Sequence, residues 1–361
     1  MAQVDDDGAA CEYPPPVTTI WEDEMKRLRV CAAAALGSFA SFVAAAPLLA
    51  QSSVIDIGRL GPESSFLWAV NNRNQAVGWS ELAGRDTEHA ILWHGGELID
   101  LGALPDFPVS RALGINERGQ IVGYAIEFDL HHSRAILWDG GRAIDISPPG
   151  SSSCGAAGIN NRGDIIGKCT AAGELWRGRE LITLGLLAGY TNNYPRAIND
   201  AGVVVGTLTD FLGRQSVAYR WVDGTTTALP LPPGATGASA EDVNARGTIV
   251  GYVTFPTSIE PAIWERDDVA PLAGAWGTFS GIAWGINNRG DVVVNGHNFA
   301  TDVGGGFVWN RGAFRLLEGP GSAQDISDRG VAVGRIFIQG SEEHGAVWPK
   351  ALTRIAPSGS P

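Results

Sequence analysis

The residues of this chain whose types could do chemistry are two of its four cysteines, a histidine pair and a scatter of loop aromatics. Cys154 and Cys169 lie 15 residues apart, on either side of the stretch GINNRGDIIG from Gly158 to Gly167. If Asn160 and Gly163 are the corners of a hairpin turn, the two cysteines fall opposite each other, because both pairs of numbers sum to 323. Opposed cysteines in an oxidising compartment form a disulfide, and closing so short a loop stabilises by at most about 3 kcal/mol. One extra residue in either strand would turn one sulfur to the other sheet face.

His131 and His132 follow Glu127 and Asp129. Imidazole and carboxylate both bind zinc, but these residues lack fixed helical spacing and have no cysteine nearby, so the stretch reads as a solvated loop. HExxH, GxSxG and a phosphate-binding loop are all absent. No catalytic residue, metal ligand or cofactor is assigned. Arg162-Gly163-Asp164 and Arg289-Gly290-Asp291 spell an adhesion tripeptide, and the plainer reading is a turn. Aromatic residues that follow no pattern are better ligand contacts, since sugars stack on such rings. Phe107, Tyr190, Tyr194 and Trp276 are the candidates, with His131 and His132 beside them.

These residues are carried by a repeat. The heptapeptide GINNRGD recurs from Gly285 to Asp291, and looser copies sit at Asn71, Asn116, Asn199, Asn244 and Ser327. Asn and Gly favour the turn, Asn by bonding its own backbone and Gly by taking positive φ without a clash. Each copy precedes an apolar run ending in Trp93, Trp138, Trp176, Trp221, Trp264, Trp309 or Trp348. The turn marker steps by 45, 44, 39, 45, 43 and 40 residues, and the Trp marker by 45, 38, 45, 43, 45 and 39. Two hairpins in about 40–50 residues make a propeller blade. The expectation is an all-β, seven-bladed β-propeller of four-stranded antiparallel blades. Its motif tryptophans pack between blades, and an N-terminal strand at Val54–Ile57 closes the ring.

Residues 1–24 hold seven acidic groups and no basic one, with three consecutive prolines, and read as disordered or as a misplaced start ahead of Met25. Lys26, Arg27 and Arg29 then precede an Ala-rich apolar run ending at Ala50, the pattern of a signal peptide over residues 25–50. Residues 51–361 form the single repeat domain. Beyond residue 50 the chain has 23 basic and 32 acidic residues, net −9, which argues against nucleic acid as a partner. No later apolar run is long enough to span a bilayer. The expected location is extracellular or periplasmic.

The alternation of IN-x-x-G-x-apolar-apolar-G with A-apolar-x-Trp and a DLG-like ending resembles the HAF repeat family of bacterial extracellular proteins. His89-Ala90-Ile91 is the nearest copy of the eponymous tripeptide, with Arg134-Ala135-Ile136 in the next unit. The resemblance implies secretion and a repeat fold, and no defined activity. The first functional reading is a non-enzymatic binding module for a carbohydrate or surface protein. The second is a polysaccharide hydrolase or lyase using carboxylates such as Asp106, Glu127, Asp129 and Asp210. In an up-and-down blade all tight turns share one face and all long, variable loops share the other. A ligand is expected on the long-loop face.

Overall fold

The computed structural model describes residues 54–83, 87–127, 132–275, 277–338, 342–349 and 351. The leader, the signal segment, His131, Asp129 and Trp276 lie outside them. The described residues form seven four-stranded antiparallel sheets arranged as a β-propeller. In blade 1 the strands from the axis outward are Ser65–Val70, Ala76–Glu81, Glu88–His94 and Glu97–Gly102. Blades 2 to 6 repeat this order. Blade 7 takes its three inner strands from the end of the chain and its outer strand, Ile55–Asp56, from the beginning. Ile55 pairs with Val347 and Asp56 with Ala346.

The core lies between blades. Seven buried clusters fill the wedges, and each draws residues from adjacent sheets. The motif tryptophans sit in these wedges. The indole N–H of Trp138 donates to Leu101 O at 3.1 Å, Trp176 to Ile146 O at 3.0 Å, Trp264 to Pro230 O at 2.9 Å and Trp348 to Glu318 O at 2.9 Å. Each acceptor belongs to the preceding blade's outer edge, so the residue bolts one blade to the next while burying a large ring.

The second motif has a matching logic. The His of the His-Ala element reaches the Asp of the Asp-apolar-Gly ending. His89 Nδ1 lies 2.9 Å from Asp100 and His344 Nδ1 lies 2.8 Å from Asp56. The same Asp caps its own strand end, accepting Gly102 N–H at 2.7 Å and Gly58 N–H at 2.8 Å. Arg134 takes the histidine's place against Asp145.

The hairpin turn differs from the simple count. Asn160 N–H donates to Asp164 O at 3.0 Å, so the turn closes on the fifth residue and the strands pair with a sum of 324. A bulge at Ala157 then shifts the register, and Gly155 pairs with Lys168. Turn and bulge cancel. Cys154 and Cys169 come opposite after all, with Cα atoms 4.2 Å apart, and form a disulfide. The same bulge recurs in every innermost strand, three residues before the turn Asn or Ser.

Candidate functional site

The inner strands have one unpaired edge each, and it faces the axis. At the tight-turn end that edge is tied off by side chains. Each turn Asn accepts two backbone N–H groups of its own turn through Oδ1; for Asn160 these are Arg162 at 3.0 Å and Asp164 at 2.9 Å. Its Nδ2 donates to the next blade's turn carbonyl. The links run Asn71 to Asn116, then to Asn160, Asn199, Asn244, Asn287 and Ser327, all at 3.0–3.3 Å. Serine cannot extend the series, so this belt has six links across seven interfaces.

A second belt lies outside the first, at the next turn residue. The N–H of Asn72 donates to Glu117 Oε1 at 2.9 Å, Glu117 to Asn161, Asn161 to Asp200, Ala245 to Asn288, Asn288 to Asp328 and Asp328 to Asn72. Ala245 offers no acceptor to Asp200, so this belt is open between blades 4 and 5. It is closed between blades 7 and 1, where the first belt is open.

Both belts line a funnel of about 210 Å³ at the tight-turn mouth of the axial channel. Asp325 lines its floor, and Asp242 holds the same inner-strand position in blade 5, where the other five blades have Gly or Ala. Asp325 accepts Val70 N–H at 2.8 Å and Ile326 N–H at 2.7 Å; Asp242 accepts Ile286 N–H and Val243 N–H, both at 2.7 Å. Removal from bulk water pushes Asp242 up to about 7, and the nearby charge of Asp325 adds to this. Burial likewise pushes Asp325 up to about 6. Gly285 has to be glycine because a Cβ there would stand 3.0 Å from the Cα of Asp325.

The long-loop half of the channel has different chemistry. The bulge residues at one level are Trp68, Leu113, Ala157, Arg196, Glu241, Trp284 and Gln324. The side chain of Arg196 is 38% exposed although it lies mid-strand, so it opens into the channel, and its Nε lies 3.5 Å from the buried carboxylate of Glu241. Nearer the loops, cations cover aromatic faces between blades. Lys168 Nζ lies 3.6 Å from the centre of the Tyr194 ring, the Arg111 guanidinium 4.8 Å from Trp79 and that of Arg335 5.4 Å from Phe66. Glu88 and Glu343 hold the two arginines.

Among the candidate ligand residues, Tyr194 lies on the innermost strand of blade 4, its ring facing Lys168 of blade 3. Phe107 and Tyr190 are half-buried against the cores between blades 1 and 2 and between blades 3 and 4, with Arg134 5.3 Å from the Phe107 ring centre. His132 lies in a loop, paired with Glu127 at 2.8 Å. The structure does not bring Phe107, Tyr190 and Tyr194 into one cluster. Phe211 at 81% and Leu212 at 60% exposure form the tip of a long loop in blade 4, a place that no repeat motif marks. The signal available was an apolar pair, Phe-Leu, held between Asp210 and Gly213.

Neither adhesion tripeptide can be read by a partner through its Asp. Asp164 is buried and bonded to Asn160 and Arg162, and Asp291 is buried and bonded to Asn287 and Asn310. Among the described residues no three His, Cys, Asp or Glu side chains are grouped to hold a metal ion.

Comparison with known proteins supports the fold. No protein-family profile and no curated protein matches the chain. The extracellular domain of a putative one-component system from B. thetaiotaomicron is similar over 82% of this chain, at 9% identity and a TM-score of 0.52. The match spans 39% of that chain's length. A Xanthomonas campestris gluconolactonase matches over 81% of this chain and 88% of its own, at 13% identity and a TM-score of 0.38. A Hadza microbial sialidase matches over 80% and 64%, at 10% identity and a TM-score of 0.38.

Proposed function

We propose that the chain is an exported, non-enzymatic binding module of HAF-repeat type whose ligand, a glycan or a surface partner, sits at the long-loop mouth of the channel. The observation that carries this reading is the difference between the mouths. One is built from a repeated bonded turn, headed by Asn in six blades and by Ser327 in the seventh. The other presents Tyr194, Arg196, Trp68 and Trp284 on the inner strands, with Phe211 exposed on a loop around them. Aromatic faces beside a guanidinium suit a sugar ring with polar substituents. Export is supported by the disulfide and by the basic-then-apolar segment, with cleavage expected after Ala50.

The hydrolase or lyase alternative finds less support. A general acid and base must both reach one substrate. Asp210 Oδ1 accepts the N–H of Gln215 in its own loop, Glu127 pairs with His132, and Asp106 lies in a separate turn between blades 1 and 2. A polysaccharide array, scored for both retention and cleavage, tests the choice. Retention without new reducing ends, weakened by Tyr194→Ala or Trp276→Ala, is expected. Release of oligosaccharides would establish the alternative. Loss of binding only from changes at the tight-turn face would move the site.

A further inference from the structure

Six of the seven tight turns have arginine at the third position: Arg73, Arg118, Arg162, Arg246, Arg289 and Arg329. All six are exposed. Neighbouring turns are hydrogen-bonded to one another, so these arginines stand one per blade in a ring around the funnel. Blade 4 has Ala201 instead. Its backbone N–H bonds Asn199 Oδ1 at 3.0 Å, as the arginine N–H groups bond theirs, so the turn does not require the side chain.

Turn geometry leaves the ring unexplained, and so do local ion pairs. The carboxylates beside the arginines are engaged elsewhere. Glu117 accepts from Asn72, Asp200 accepts twice from Asn161, and Asp328 accepts from Asn288 and Asn72. Arg162 pairs with Asp164 at 2.9 Å. The side chains of Arg73, Arg118, Arg246, Arg289 and Arg329 make no hydrogen bond or ion pair with any described residue. On a chain of net charge −13, five unpaired guanidiniums are held on one face.

We propose that the tight-turn face is a second binding surface, for an anionic polysaccharide. A guanidinium fork matches carboxylate and sulfate oxygens in pairs, and a polymer bearing such a group on successive sugars engages several forks at once. The funnel inside the ring shapes the choice of partner. Glu117, Asp200 and Asp328 repel a flat anionic membrane or the dense phosphates of a nucleic acid, whereas sparse charges on a flexible chain meet the rim alone. This surface lies opposite the ligand mouth proposed above and does not depend on it.

The test is a binding titration of the exported chain against polygalacturonate, dextran sulfate and neutral dextran at low and physiological salt. Both charged polymers are expected to bind, more weakly as salt rises, and dextran not to bind. R73Q/R246Q/R289Q/R329Q should lose roughly 100-fold in affinity, since each lost contact also lowers the effective concentration of the rest. Ala201→Arg completes the ring and should raise affinity several-fold without removing any group, so a folding failure of the first variant leaves the test intact. Wild-type affinity in the folded quadruple variant, or unchanged affinity in Ala201→Arg, overturns the proposal. So does dextran binding equal to that of the charged polymers, or tighter binding of phosphatidylglycerol vesicles or duplex DNA.

Discussion

The two mouths of the channel obey different rules. At the tight-turn mouth six of the seven blades solve the same problem in the same way, with an Asn that caps its own turn and reaches the next. At the long-loop mouth the solution varies among interfaces: Lys168 on Tyr194, Arg111 on Trp79, a hydroxyl pair between Thr207 and Ser239, or Asn295 Nδ2 on Ala323 O at 2.8 Å. One mouth holds the ring together, which leaves the other free to vary. A repeat protein can diversify a surface when its registration is secured elsewhere.

The largest expected effect comes from breaking the uniform side. Asn160→Ala removes two turn bonds and the link to blade 4 and leaves buried N–H groups unpaired, a loss of about 2–4 kcal/mol by denaturant unfolding. Asp210→Ala on a long loop should stay within about 0.5 kcal/mol. Equal losses at the two sites would erase the distinction drawn between the mouths.

The disulfide comes next. It staples blade 3, whose four strands span only four or five residues each. Cys154→Ser with Cys169→Ser should cost at most about 3 kcal/mol. Thiol titration of exported, unreduced, denatured chain should find neither cysteine free, and reactive thiols there would refute the bond.

Two inner-strand carboxylates give a pH dependence. Asp242 and Asp325 hold protons more tightly folded than unfolded, so their contribution is greatest in acid and is lost as pH rises through about 6 to 7. Thermal unfolding should therefore show wild type losing stability relative to Asp242→Asn between pH 5 and 8, on the order of 2 kcal/mol. Parallel curves for the two proteins would mean that Asp242 is ionised throughout.

The smallest effect sharpens the comparison. Ser327→Asn supplies the missing donor of the inner belt and should stabilise by about 0.5–1.5 kcal/mol. No gain would mean that the gap between blades 7 and 1 is already filled by the outer belt.

Much of the ring was legible because its markers are spaced along the chain: the turn Asn, the wedge Trp and the closing strand all follow from the repeat. The disulfide was legible by a coincidence. The turn is one residue longer than its N-x-x-G signature suggests, and the bulge at Ala157 restores the count. Bulges leave no mark in a single blade, and only the common place of Trp68, Arg196 and Trp284 relative to the turn betrays them. The channel lining was hidden for another reason. Trp79 and Lys168 meet Arg111 and Tyr194 of the following blade, and no periodicity within one repeat shows which residues face each other across a wedge.

The gaps in the two belts never coincide. A mason lays courses with staggered joints so that no crack can run straight through a wall, and this hoop follows the same rule. Where Ser327 leaves the inner course open, Asp328 and Asn72 bond across the joint; where Ala245 leaves the outer course open, Asn199 bonds to Asn244. The chain's first and last strands both lie in blade 7, which is tied to blade 6 by both courses and to blade 1 by the outer one, so a crack started at the chain ends must break a course before it can travel.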